Sequence, residues 1–327
     1  MLTVLAGGVG AARFLLGALE AVDPACTTAV VNVGDDTVLH GLEISPDLDT
    51  VVYTLAGAID PERGWGLRDE TWRAVEQVRR YAESAGVTAE DPSGNDAAGW
   101  FSLGDLDLGT HLYRTSRRRA GVPLSEVTRE VAAAWGLGPT ILPVTDDPLR
   151  TVLWTVDGRD LSFQEYFVRE RHDVAVERVE LVGREQARPA PGVLEAIEQA
   201  ETVVVAPSNP VVSIGPVLAV PGVEDAVRAA RDRVVAVSPI VGGAALKGPA
   251  DRLLRELGHE STVVGVARWY APLVGTLVVD HADAHLAEQV EAEGVRCVVT
   301  DTVMGPPGVA ARLVRTCVDA ARDGVRP

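Results

Sequence analysis

Cysteine is scarce in this chain. Three occur, Cys26, Cys297 and Cys317, far apart and odd in number. That excludes a closed disulfide framework, and with no C-x-x-C pair it excludes the commonest zinc spacing. They read as reduced, buried thiols of a cytoplasmic protein. Long apolar runs are absent too. None approaches the about 20 residues of a membrane span. The apolar Leu2–Ala6 stretch has no basic lead and breaks at Gly7 and Gly8, so no secretory leader is expected. Positive charge is short: 30 Lys and Arg stand against 47 Asp and Glu, a net charge of −17. A nucleic-acid polymer is therefore excluded as partner, since it needs clustered cations. The one basic run, Arg117–Arg118–Arg119, reads as a solvated helix face. Aromatic residues make up only 5%, so their uneven placement carries information. Four of the six tryptophans (Trp65, Trp72, Trp100 and Trp135) fall in one stretch.

What is present is an α/β pattern. Leu2–Ala6 reads as a buried strand, Gly7–Gly8–Val9–Gly10 as a loop, and Gly10–Val22 as a helix with Phe14, Ala18 and Val22 on one stripe. A second strand, Thr28–Val33, follows. A strand–helix–strand unit implies parallel pairing, hence a Rossmann-like, doubly wound, mainly parallel sheet. Further strands are expected at Thr140–Val144, Val152–Val156, Val174–Val182, Thr202–Ala206, Arg233–Val237, Val263–Val266, Gly275–Val279 and Arg296–Thr300. Between them, residues 64–136 read as an inserted helical lobe, leaving 1–63 and 137–327 as the nucleotide-binding domain. Within the lobe, Ser125 is the expected N-cap of a helix that buries Val127, Val131 and Trp135 and stops at Gly136. Ser84–Gly99, small, polar and non-periodic, reads as a mobile loop.

Several stretches can carry chemistry. A glycine loop in the first βα turn lets phosphate approach backbone N–H groups at a helix N-terminus, so Gly7, Gly8, Val9 and Gly10 are candidate nucleotide ligands. The loop is neither a Walker A motif nor a full G-x-G-x-x-G, so it names no nucleotide. Asn32, Asp35, Asp36, Asp47 and Asp49 follow the second strand, where ligands bind in this class. Such carboxylates hold Mg²⁺ or orient a hydroxyl, and equally form turns and caps. Asp47 and Asp49 are the catalytic candidates, and Asp35, Asp47 and Asp49 the metal candidates. Ser208, Asn209 and Ser213 sit on a proline-stiffened loop after a buried strand, and Ser238–Gly243 repeats that arrangement on the next. Trp65, Trp72, Trp100 and Phe101 form either a flat apolar pocket or a small helical core. His111 and His172 stand isolated in sequence and are assigned no metal.

Together, LAGGVGAARFLLG, VVNVGDDTVLHGLEISPDLDTVVYTLAG, GWGLRDETW, WFSLGDLDLGTHLYRT, GVPLSEVT, PVTDDPLRT, FQEYFVRER, APSNPVVSIGPVLAVPG and SPIVGGAALKGPAD run in order across nearly the whole chain. The set resembles the phospholactate transferase family of coenzyme F-420 biosynthesis, including its phosphoenolpyruvate-transferring actinobacterial members. The resemblance implies transfer of a phosphoenolpyruvyl or 2-phospholactyl group from a GDP-linked three-carbon acid to the terminal hydroxyl of the deazaflavin Fo, with release of GMP. It also implies Mg²⁺ and a homodimer. Asp49 falls in the family's deazaflavin-binding position. Ser102 occupies its other deazaflavin-contacting position, where many members carry a basic residue. Trp65 and Trp100 are the expected ring contacts. Two readings from other classes stand beside this one: a nucleotide-sugar-binding regulator of the gluconeogenesis-factor type, and a dinucleotide-dependent oxidoreductase.

Overall fold

The computed structural model describes residues 1–87 and 101–324. Seven strands form one parallel sheet: β1 (Leu2–Ala6), β2 (Thr27–Val31), β3 (Thr140–Pro143), β4 (Thr202–Val205), β5 (Val234–Val237), β6 (Thr276–Asp280) and β7 (Arg296–Thr300). Their spatial order is β7-β6-β5-β4-β1-β2-β3. The central strands read LTVLA, TTAVV, TVVV and VVAV and are buried throughout. Such near-continuous apolar runs are what a sheet covered on both faces requires. The chain winds outward from β1 through β2 to β3, then returns to β1's other side at β4. The topological switch point, where this class builds its sites, therefore lies between β1 and β4 at their carboxyl ends.

Helix α1 (Gly8–Ala21) packs between α2 (Pro46–Leu55) and the C-terminal helix Val309–Gly324. The approach to the latter is close: a Cβ on Gly17 would meet Ala310 Cβ at 2.6 Å. Among the described residues, three helices lie in the stretch between α2 and β3: α3 (Arg73–Ala85), α4 (Asp105–Arg119) and α5 (Leu124–Ala134). Leu124, Val127, Val131 and Ala132 of α5 are buried in the main core. Two carboxylates exchange caps at the α3–α4 junction. Asp105 accepts from Ala74 N (3.0 Å) at the start of α3, and Glu70 accepts from Leu106 N (2.8 Å) and Asp107 N (2.9 Å) at the start of α4.

Several expectations from the sequence are corrected. Val263–Val266 is not a strand but the start of a helix, Val263–Tyr270, whose N-cap Thr262 accepts from Gly265 N at 3.2 Å. A four-residue apolar run does not separate a buried strand from a buried helix, and here the cap decides. Ser125 is not the N-cap of α5. Its N–H and Oγ both donate to Asp146 (2.6 and 2.8 Å), a carboxylate brought in after β3 that takes over the capping role. The strands expected at Val152–Val156 and Val174–Val182 are not part of the parallel sheet: Arg150–Thr155 pairs antiparallel with Asp160–Ser162 on one side and Val176–Val182 on the other, in a separate sheet. The expected loop begins later, because Ser84 and Ala85 close α3; residues 88–99 of it, and Trp100, lie outside the described residues. Of the cysteines, only Cys317 is buried and Cys26 is exposed. The Arg117–Arg119 run does more than face solvent: Arg117 pairs with Glu130 of α5 (2.5 Å) and Arg118 with Glu43 (3.3 Å). Among the described residues no single helix is long and apolar enough to cross a membrane.

Candidate active site

The glycine loop lies at the switch point and is clamped from both sides. Gly7 is the N-cap of α1, and Gly8 takes φ +70°, a conformation that favours glycine. Ser208, after β4, donates its hydroxyl to the Gly7 carbonyl at 2.7 Å. A Cβ on Gly7 would lie 2.8 Å from Ser213 Cβ, and one on Gly10 would run into the Pro207 carbonyl oxygen. Small residues are thus needed to seat β4's loop against β1's loop. Asn209 caps the wide turn Pro210–Ile214, accepting from Val211 N (2.9 Å) and Val212 N (3.4 Å). Ser208 and Ser213 therefore meet the glycine loop, and Asn209 shapes the turn that carries Ser213. In α1's first turn the N–H groups of Val9 and Gly10 have no intrahelical acceptor and point toward the sheet's carboxyl edge.

Asp47 ties this loop to α2. Its Oδ1 accepts from Gly8 N (2.8 Å) and its Oδ2 from Asn32 Nδ2 (2.9 Å), while Asn32 Oδ1 accepts from Gly34 N (2.8 Å). Asp47 and Asp49 sit in the first turn of α2, following Pro46 as the first helical residue. They are two positions apart, so they diverge around the helix. Asp47 faces the glycine loop and Asp49 faces α4. Asp35 and Asp36, just past β2, lie between. Burial holds the Asp35 carboxyl well above the usual carboxylate range, with the charges of Asp47 and Asp36 adding to it. Burial does the same to Asp36, against the Ser45 hydroxyl, which donates to its Oδ2 at 2.7 Å. Asp47 is pushed up to about 6, again by burial, with the bonds from Asn32 and Gly8 opposing. Asp35 Oδ1 and Asp36 Oδ1 are buried with no hydrogen-bond partner among the described residues. Orphaned carboxylate oxygens are hard donors of the kind a divalent cation takes, once the groups give up their protons.

Asp49 belongs to a second cluster that sequence reasoning missed. Arg114 of α4 grips both its carboxylate oxygens, one through Nη1 at 3.1 Å. His111 Nδ1 lies 3.3 Å from Arg114 Nη1 and 3.8 Å from Asp49 Oδ2. His111 Nε2 faces Asp107 Oδ2 at 3.3 Å, outside hydrogen-bond geometry. Tyr53 donates to Asp107 Oδ1 at 2.7 Å. Asp49, Asp107 and His111 bring ligand atoms within 4.8 Å of one another, the one such trio among the described residues. Asp35, Asp47 and Asp49 do not converge in that way. His111, read as isolated, is thus corrected to a member of this cluster. The signal was there: Asp107, Thr110, His111 and Arg114 recur at i, i+3, i+4 and i+7, a polar stripe on one face of α4.

The aromatic side is partly described. Trp65, 44% exposed, meets Trp72 edge-on at 6.2 Å, and the Arg63 guanidinium lies 5.3 and 5.1 Å from their ring centres. Trp135 instead packs edge-on against Tyr53 at 6.2 Å. Ser102 is half-buried, 3.5 Å from Arg79 Nη2, so an arginine of α3 stands beside it.

Sheet order, glycine loop and clustered carboxylates define an α/β enzyme of the Rossmann-like, doubly wound class. Residues 2–316 match the 2-phospho-L-lactate transferase CofD family, and the chain belongs to it and is a transferase. It is 45% identical over 326 residues to the phosphoenolpyruvate transferase of Streptomyces griseus, covering 98% of each chain. It is 42% identical to those of Nocardia farcinica, covering 98% of this chain and 94% of that one, and Mycolicibacterium smegmatis, 98% of each. A UPF0052-family crystal structure from Bacillus halodurans shares the fold, with TM-score 0.57 and 17% identity over 97% of this chain and 98% of that one.

Proposed function

We propose that the protein transfers a phosphoenolpyruvyl or 2-phospholactyl group from a GDP-activated donor to the terminal hydroxyl of the deazaflavin Fo, releasing GMP in coenzyme F-420 biosynthesis. The observation that carries this reading is the double anchoring of α2. Asp47 binds the glycine loop, while Asp49 on the same turn faces α4, where Arg114 holds it. One rigid helix turn thus relates a phosphate loop to a carboxylate beside the acceptor side.

In this reading the free N–H groups of Val9 and Gly10 bind donor phosphate oxygens at the positive end of α1. Asn32, Ser208 and Ser213 hold the loop's shape. Asp49, aligned by Arg114, orients the acceptor hydroxyl and receives its proton as oxygen attacks phosphorus and the bond to the GMP phosphate breaks. Asp35 and Asp36 would hold Mg²⁺, with Asp47 close by; when bound, the ion supplies charge neutralisation at the phosphates. Trp65 offers an exposed face for the tricyclic ring, and Ser102 with Arg79 a polar edge. Trp100 keeps its expected role as a ring contact. We place the enzyme in the cytoplasm as a homodimer, which sedimentation would test.

The deciding experiment incubates the protein with Fo, Mg²⁺ and each GDP-linked three-carbon acid, and weighs the product. A phosphodiester of Fo formed with GMP supports the reading and identifies the acid. No product from any donor overturns it.

A further inference from the structure

Of the 30 lysines and arginines, one alone is a lysine, Lys247. It follows the short hairpin Ile240–Val241/Ala244–Ala245 at the carboxyl end of β5, and its side chain is exposed. A Cβ placed on the buried Gly64 would stand 3.5 Å from Lys247 Nζ and 4.0 Å from Val9 Cγ1. The ammonium and the glycine loop thus flank one point, and the next residue along from Gly64 is Trp65. Arg63, the residue before Gly64, is already committed to Asp60 at 3.0 Å. Lys247 makes no ion pair or hydrogen bond among the described residues.

An anionic ligand docking at the glycine loop meets the carboxylate of Asp47, bonded to Gly8 N, so it needs positive charge beside it. A lysine suits a phosphate that changes position during transfer, because its ammonium is a point charge on a flexible stem, whereas an arginine fork fixes one planar geometry. We propose that Lys247 is the ammonium that binds the phosphate oxygens of the donor, between the Gly7–Gly10 loop and the acceptor side. This rests on the nucleotide reading of that loop.

The test exploits the lone lysine. Amine acylation labels only Lys247 and the N-terminal amine. The latter pairs with Glu201 at 2.9 Å at the start of β1, the opposite edge of the sheet, and serves as internal reference. Mass spectrometry should show GDP slowing acylation at Lys247 and not at Met1. By calorimetry, Lys247→Gln should weaken GDP binding by about ten- to a hundredfold, the scale of a hydrogen bond to a charged group. Guanosine affinity and melting temperature should stay unchanged, and Lys247→Arg should restore part of the loss. If wild-type protein binds GDP, yet GDP leaves Lys247 acylation unchanged and Lys247→Gln binds it normally, the assignment is overturned while the loop reading stands. If wild-type protein binds GDP no better than guanosine, the loop reading falls and the assignment with it.

Discussion

Arg114 and Asp49 form a buried ion pair with both carboxylate oxygens engaged. Burial alone would draw the proton off the guanidinium, yet the Asp49 charge holds Arg114 above its ordinary value. Removing one partner of such a pair strands the other charge. Arg114→Leu should therefore lower unfolding free energy by about 3–5 kcal/mol in denaturant titration. Asp49→Asn should lose stability as well, because Arg114 then lacks its anion, and should cut turnover about a hundredfold or more. The double variant should recover most of the stability and none of the turnover. Recovery of both would place the pair in folding alone. Asp47 supplies a different signature. Its folded value is about 6 against an ordinary 3.8, so the folded state binds the extra proton. Stability then falls as pH rises from about 4 to about 6 and stays lower above that. Asp47→Asn should flatten this slope in denaturation curves taken across the window. An unchanged slope would assign it to Asp35 and Asp36, which are shifted the same way.

At the scale of elements, α1 is aimed by its glycines. A Cβ on Gly8 would meet only Asp47 Oδ1, at 3.9 Å, but the glycine's φ of +70° is one a β-branched residue adopts only under strain. Gly8→Val should weaken GDP binding severely in calorimetry while the sheet stays folded by circular dichroism. Gly8→Ala should do so mildly. Trp65 separates the two readings of the tryptophan segment. An exposed ring changed to Leu should shift stability by no more than about 0.5 kcal/mol and raise the KM for Fo. A parallel loss of melting temperature would make it a packing residue with Trp72. The first βα unit was legible in the sequence because its information is local: β-branched strand, glycine turn, apolar stripe. The Asp49 cluster was not, because it needs α2 and α4 brought together across 65 residues of chain. Asp107, His111 and Arg114 carry a periodic stripe on their own, but its partner is visible only once α4 is laid against α2.

For the whole molecule, the parallel order was readable from strand–helix alternation, while the side sheet of Arg150–Thr155 and Val176–Val182 was not separable from it. Of the two, only Val176–Val182 is largely exposed along its length, and that becomes informative only when the fully buried set is known. The two long-range arrangements meet in the acidic wall, where β2's end and α2's start bring Asp35, Asp36 and Asp47 together in a protein of net charge −17. Crowded, desolvated carboxylates destabilise the fold when ionised, and a divalent cation relieves that cost by binding the folded state alone. Because Asp35 and Asp36 both resist ionisation, cation binding must displace protons, so affinity weakens as pH falls. Saturating Mg²⁺ should therefore raise the melting temperature more at pH 8 than at pH 5. Asp35→Asn and Asp36→Asn should each shrink the gain at pH 8 and bring it toward the value at pH 5. Asp107→Asn should leave the gain intact, since Arg114 already neutralises Asp49 in that cluster and Tyr53 already bonds Asp107. If Asp107→Asn abolishes the gain and the Asp35 and Asp36 variants keep it, the cation belongs with Asp49, Asp107 and His111, and the acidic wall between β2 and α2 serves the phosphate loop without it.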